Sequence, residues 1–320
     1  MRVLVVGARG FLGRAACAAL ALRGHQVRAM ARGPLPQGFP TVDESVTCDP
    51  GSVGEWIPLM DGCDAVAYLA ARVHASDFDD AGSVELYREA NVRVPVTAAR
   101  AAASLGVQSF IYASSVKVHG ESAGVEAPIR SDSPMRPIGA YSISKAEAER
   151  ALSAGLSGGP TALGILVLPL VYGPRVRANF LRLIQLTVTG SRIPLPFASI
   201  RNARSLSYVE NAVDVLARIA EARANGRFIV DDGKPVSTPD LMTAIAESLR
   251  IRTHLVRCPP EWLRTVARAA GRGAVAERLL GSLVVDSSET RRLLGWEPSW
   301  SMEAGLLETV RWYQSERTSD

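Results

Sequence analysis

Apolar positions along this chain come in short dense runs separated by longer stretches of helical spacing. The dense runs read as β-strands at Arg2–Val6, Gln26–Ala31, Ser45–Cys48, Ala65–Leu69, Ser109–Ala113, Leu163–Leu168 and Arg227–Val230. Most lack the apolar–polar alternation of a half-wet sheet, so they suit strands covered on both faces. Helical periodicity fills the gaps at Phe11–Arg23, Leu86–Leu105 and Ala140–Ala154. Strand and helix in regular alternation predict an α/β fold, a doubly wound parallel sheet.

From about Val171 the alternation lapses. Loops marked by Pro174, Pro194 and Pro196 lead into helical stretches at Asn179–Thr189, Tyr208–Ala224 and Pro239–Leu249, the last with Thr238 expected as its N-cap. Residues 1–172 and 205–232 are expected to build the sheet domain, with 173–204 and 233–320 forming a smaller, interleaved, mostly helical cap. Cys258–Leu283 mixes Trp262, leucines and alanines with arginines at helical spacing. Packing onto the core with the arginines outward is expected there, ahead of a membrane-surface helix.

Composition narrows the function classes. The chain of 320 residues is 47% hydrophobic and 21% charged, in the range of soluble globular proteins. Its formal charge of +4 comes from scattered arginines, without the basic stripe and interleaved aromatics of a nucleic-acid binder. Cys17, Cys48, Cys63 and Cys258 are widely spaced, with no CxxC and no histidine at zinc spacing, so free thiols and no metal are expected. The first strand begins at Arg2, leaving no room for a signal peptide, and no apolar run approaches a membrane span. A cytoplasmic location is expected.

The opening Val3-Leu4-Val5-Val6 runs into Gly7-Ala8-Arg9-Gly10-Phe11-Leu12-Gly13, a strand–turn–helix. Gly7 permits the tight turn, Gly10 lets backbone approach a pyrophosphate, and Gly13 lets the helix pack closely on the strand. Amide N–H groups and the helix dipole then face phosphate, with Phe11 and Leu12 opening the helix. This makes the sheet a Rossmann-type, dinucleotide-binding one. NAD sites usually carry a carboxylate at the end of the second strand, for the ribose 2′-hydroxyl. Here the segment reads Val27-Arg28-Ala29-Met30-Ala31-Arg32. Arg32, helped by Arg9, suits a 2′-phosphate instead, which favours NADP(H) and leaves NAD(H) possible. Asp49 would meet the adenine edge, and Leu69-Ala70-Ala71 is a small-residue strand end that lets the cofactor pass.

The chain carries 36 lysines and arginines, yet only Lys117, Lys145 and Lys234 are lysines. One of the three stands four residues after Tyr141, on the same helix face. A free phenol, with a pKa near about 10, is a poor proton-transfer group at neutral pH. An adjacent ammonium, with the positive nicotinamide of an oxidised cofactor, is expected to lower that value and let Tyr141 exchange a proton with a carbonyl or alcohol oxygen. Lys145 can also hold the nicotinamide ribose. Ser115, at the carboxyl end of a strand, can bind the same substrate oxygen.

With these residues in place the chain resembles the extended short-chain dehydrogenase/reductases of the NAD-dependent epimerase/dehydratase family. The resemblance runs almost end to end, through Gly7–Gly13, Asp64–Ala71, Asn91-Val92, Ser114-Ser115, Tyr141–Lys145, Val171-Tyr172-Gly173-Pro174 and Leu294-Gly295-Trp296-Glu297-Pro298. It implies a catalytic triad of Ser115, Tyr141 and Lys145. It also implies cofactor contacts from Asn91, Ser114, Pro169 and Val171. On the substrate side it implies diphosphate contacts from Asn179 and Arg204, with Leu195-Pro196-Phe197 under a uracil. Arg278 is a second arginine for the diphosphate, and Lys117 could face the sugar. A homodimer built through helices that include the Tyr141 helix is implied as well.

Dehydratases of the family carry Asp-Glu directly after the catalytic hydroxyl residue, where this chain has Val116-Lys117. Dehydration is therefore set aside. The runs Ser114–Glu121 and Arg201–Val209 resemble a narrower branch that includes UDP-N-acetylquinovosamine 4-dehydrogenases and UDP-glucose 4-epimerase-like proteins. That likeness implies a role in lipopolysaccharide biosynthesis and reversible reduction of a 4-keto UDP-sugar. A 4-epimerase retaining NAD is the alternative; Arg32 weighs against it, since an epimerase gains nothing from exchanging NADPH. A reductase of a non-sugar substrate is chemically allowed by the same triad. A catalytically idle cofactor sensor typically lacks the complete triad, and this chain has it.

Overall fold

In the computed structural model residues 1–73, 81–271 and 273–318 are described. Six strands follow in chain order: β1 (Arg2–Val6), β2 (Gln26–Ala31), β3 (Glu44–Thr47), β4 (Ala65–Tyr68), β5 (Ser109–Ser115) and β6 (Ala162–Leu168). Then β7 (Leu170–Tyr172) and β8 (Leu206–Tyr208) pair with each other, and β9 (Gly226–Ile229) returns to the main sheet. That sheet has seven strands in the order β3-β2-β1-β4-β5-β6-β9, every neighbouring pair parallel. Strand order reverses between β1 and β4, which opens a crevice at their carboxyl ends.

Both faces are covered, which is why the strands do not alternate. On one side helices Phe11–Leu22 and Val209–Ala222 set Ala16, Leu20, Ala212 and Leu216 against Val3 and Val5. On the other, Val94–Ser104 and Ala140–Leu156 set Ala98, Ala102, Ala148 and Leu152 against Leu4, Val6 and Phe110. Full burial of each large aliphatic chain contributes about 1.5–3 kcal/mol. The seven expected strands are present, their ends moving by at most two residues. Among the described residues no helix is long and apolar enough to cross a membrane.

Four details depart from expectation. The single helix expected over Leu86–Leu105 is three pieces: Ala81–Arg88, a π-helical turn Glu89–Arg93, and Val94–Ser104. Pro95 explains the break, because it has no N–H to bond the carbonyl four residues back. The N-cap of helix Thr238–Ser248 is Ser237, whose hydroxyl accepts from the Asp240 amide; the Thr238 hydroxyl instead donates to the Leu279 carbonyl. Trp296, expected in the cap, is buried in the sheet core with Val3, Leu20 and Leu216. Helix Pro260–Ala269 buries no residue fully. Leu263 and Ala267 pack toward Ile200, Ala276 and Leu280, while Trp262 and Val266 stand 69% and 62% exposed.

Candidate active site

The turn after β1 is shaped by close backbone approach. The Gly7 and Ala8 amides both donate to the Met30 carbonyl, at 3.0 and 2.9 Å. Gly7 adopts φ 90°, and a Cβ there would lie 2.8 Å from the Ala70 nitrogen. At Gly13 a Cβ would lie 2.2 Å from the Gly7 carbonyl oxygen, so only glycine lets the helix sit on the turn. Gly10 is the N-cap of helix Phe11–Leu22 and no side chain caps it, which leaves the first-turn amides for a ligand. This cradle fits the pyrophosphate of a dinucleotide.

Arg9 and Arg32 are both exposed at the carboxyl end of β2. The Arg9 Nη1 lies 2.8 Å from where a Gly33 Cβ would stand, so its guanidinium covers the backbone just after Arg32. Asp49, two residues past β3, accepts from the Gly51 amide at 3.0 Å and starts a 3-10 turn. Ala70 forms the wall opposite Gly7.

At the reacting end β5 delivers Ser114 and Ser115 to opposite faces, as successive strand residues must. The Ser114 hydroxyl turns inward and donates to Glu149. Ser115 hydrogen-bonds the half-buried Tyr141 phenol, and its oxygen also accepts from the Lys117 amide at 3.3 Å. Tyr141, Lys145 and Glu149 follow at four-residue intervals on helix Ala140–Leu156. The ring of Tyr87 meets Tyr141 edge-on at 6.4 Å between centroids.

Protein groups alone do not acidify Tyr141. Burial pushes the phenol up to about 12, opposed by the Ser115 hydrogen bond. Lys145 is turned into β5, donating to the Tyr112 hydroxyl at 3.1 Å and the Ala113 carbonyl at 2.8 Å. Burial pulls its ammonium down to about 7, with Glu149 pulling the other way. Asn91 sits on the π turn: its side chain accepts from the Arg72 amide at 2.8 Å and donates to Ser144 at 3.0 Å.

The substrate-side residues are more dispersed. Lys117 pairs with Glu121 at 2.9 Å. Arg204 is held by its backbone against Val236 and by a guanidinium bond to the Gly281 carbonyl at 3.0 Å; burial lowers its pKa. Asn179 is exposed in the first turn of helix Ala178–Thr189. Leu195 is buried in the cap core, while Phe197 is half-buried beside it. Pro169 is buried at the β6–β7 junction and Val171 lies in β7. Arg278 falls on helix Gly273–Leu280, but its side chain lies outside the described residues.

Three participants escaped the sequence reading. Tyr112 touches Lys145, Glu149 stands behind it, and Arg227 of β9 pairs with Glu149 at 3.0 Å. Glu149 was reachable, since it continues the four-residue spacing of Tyr141 and Lys145. Arg227 carried no local signal.

Comparison with known proteins places this geometry. The profile of the "NAD dependent epimerase/dehydratase family" matches residues 3–230. A UDP-glucose 4-epimerase of Vibrio cholerae is 32% identical over 317 residues, covering 97% of this chain and 94% of its own. MoeE5, solved with UDP-glucuronic acid and NAD, superposes with a TM-score of 0.77 at 24% identity, covering 99% of this chain and 100% of its own. A UDP-glucuronic acid 4-epimerase of Bacillus cereus, solved with NAD, gives 0.80 at 20% identity, covering 100% and 98%. At such identities the structural likeness speaks for the fold, and the sequence matches carry the kinship: the chain belongs to the NAD-dependent epimerase/dehydratase family.

Proposed function

We propose that this chain is an oxidoreductase of a nucleotide-activated sugar, a UDP-sugar above all, exchanging hydride reversibly at C4 with NADP(H) preferred. The observation that carries the chemistry is the Ser115–Tyr141 hydrogen bond at the carboxyl end of β5, one helical turn from Lys145. Arg9 and Arg32 at the end of β2, with no carboxylate in that segment, support the phosphorylated cofactor.

When bound, a nicotinamide nucleotide supplies or accepts the hydride at the reacting carbon. The Gly7–Gly13 turn would hold its pyrophosphate and Lys145 its ribose. Tyr141, protonated at neutral pH, gives its phenolic proton to the carbonyl oxygen as the carbon is reduced, and takes it back in the reverse direction. Ser115 holds that oxygen beside the phenol. Arg204 would clamp the diphosphate, for which a guanidinium fork is well matched, with Asn179 beside it.

The Vibrio cholerae relative favours a second reading, a 4-epimerase with retained NAD. One assay separates them. Incubation of a UDP-hexose without added cofactor yields C4 isomers if the chain is an epimerase. Stoichiometric NADPH consumption with a UDP-4-keto sugar, and no isomers in the first assay, is the result expected here. A chain that turns over neither sugar and reduces a non-sugar ketone would overturn both readings.

A further inference from the structure

Pro95 has consequences beyond the helix it interrupts. Lacking an N–H, it leaves the backbone carbonyl of Asn91 without the usual helical partner. The chain widens there into the π turn, where the Val94 amide reaches back to Glu89. The Asn91 carbonyl is taken up by the hydroxyl of Tyr112, at 2.9 Å. A phenol has one hydrogen, and this one is committed to Asn91, so toward Lys145 it can only accept. Lys145 Nζ donates to it at 3.1 Å and to the Ala113 carbonyl at 2.8 Å. Two N–H groups are thereby fixed into β5. A third exists only when the lysine is charged, and it is the one left for a ligand.

We propose that Tyr112 is a positioning residue, anchored on the π-turn carbonyl of Asn91, that holds the Lys145 ammonium in place and in its charged form. The proposal rests on the catalytic reading of Lys145 given above. Its electrostatic surroundings are compact. Glu149 faces Lys145 from its own helix and Tyr112 from β5, Tyr141 and Tyr68 of β4 act on Tyr112, and Arg227 of β9 offsets Glu149. Tyr112 is fully buried and its pKa lies far above the ordinary phenol value, chiefly through burial, so it acts as a neutral phenol throughout the working range.

Only three lysines occur in the chain, so isotope-labelled lysine gives three side-chain NMR signals, and Lys145 is assigned by its loss in Lys145→Met. In the ligand-free full chain, Tyr112→Phe should lower the Lys145 titration by about one pH unit, because the ammonium loses a hydrogen-bond acceptor. Turnover should fall about 10-fold, the KM for the sugar staying within about twofold, with the alkaline limb of the pH profile moving to lower pH. A Lys145 titration that is unchanged or raised in Tyr112→Phe overturns the proposal. Should that variant not fold, the unaltered protein must show nuclear Overhauser contacts between the Lys145 ε-methylene and the Tyr112 ring; their absence overturns it equally. Full turnover by Lys145→Met would instead sink the catalytic reading, a separate result from the titration.

Discussion

At the Gly7–Gly13 turn the protein meets its ligand with backbone; at Tyr141 it does so with side chains taken out of water. The first region exposes its cations, Arg9 and Arg32, and gains its shape from places where no Cβ fits. The second buries Lys145, Glu149 and Tyr112 within one hydrogen-bonded and ion-paired cluster beside the half-buried Tyr141. Backbone recognition tolerates solvent because its dipoles are fixed by the fold. Proton transfer needs a pKa moved from its ordinary value, and burial moves it furthest. The two ends of one crevice therefore fail in different ways.

Tyr141→Phe should show the largest effect, a loss in kcat of about 1,000-fold, with dinucleotide affinity and melting temperature nearly unchanged. Steady-state rates beside a fluorescence titration of the nucleotide check both halves of that statement; near-normal turnover would remove Tyr141 as the proton donor. Gly13→Ala should do the opposite. Its Cβ would press on the Gly7 carbonyl at 2.2 Å, so the helix must lift from the turn. Dinucleotide affinity should fall about 100-fold or more, with about 1–3 kcal/mol lost in stability. Gly24→Ala is the control: φ is 78°, nothing lies within 4 Å of its Cβ, and only a backbone cost of about 1–2 kcal/mol is expected, with binding intact.

This contrast also accounts for what was legible in the sequence. Glycine spacing after a buried strand specifies a backbone shape locally, so the turn could be read from Gly7, Gly10 and Gly13 alone. Tyr141 and Lys145 share one helix, and their four-residue spacing was readable as well. Their protonation was not, because it depends on partners brought in by the sheet. Tyr112 reaches Lys145 across 33 positions and Arg227 reaches the helix from β9. At Tyr141 the ammonium four residues away bonds into β5, and among the protein's own groups desolvation prevails. The exposed Trp262 and buried Trp296 make the same point, since helical spacing and aromatic content do not tell which face finds a neighbour.

Arg32→Asp tests the exposed end with a smaller effect. A 2′-phosphate held by Arg32 and Arg9 loses one cation and meets an anion, so the ratio of NADPH to NADH efficiency should drop about 10-fold or more. An unchanged ratio would place the 2′-group elsewhere. Because Arg32 is exposed, added salt should narrow the difference.

The mildest effect expected is on pH dependence at the buried end, and there the sign is informative. Burial pulls Lys145 down to about 7 against the pull of Glu149, so its charge is present below that pH and lost above it. Reductive kcat/KM should be flat on the acid side and fall about fivefold between pH 7 and 8. Tyr141, pushed up to about 12, stays protonated over this range and adds no second limb. Glu149→Gln should move the descending limb to lower pH, because it removes the charge that favours the ammonium. Arg32→Asp should leave that limb where it is. If both variants moved it equally, the two ends of the crevice would be one electrostatic unit, and the contrast between exposed backbone and buried side chains would no longer describe how the site works.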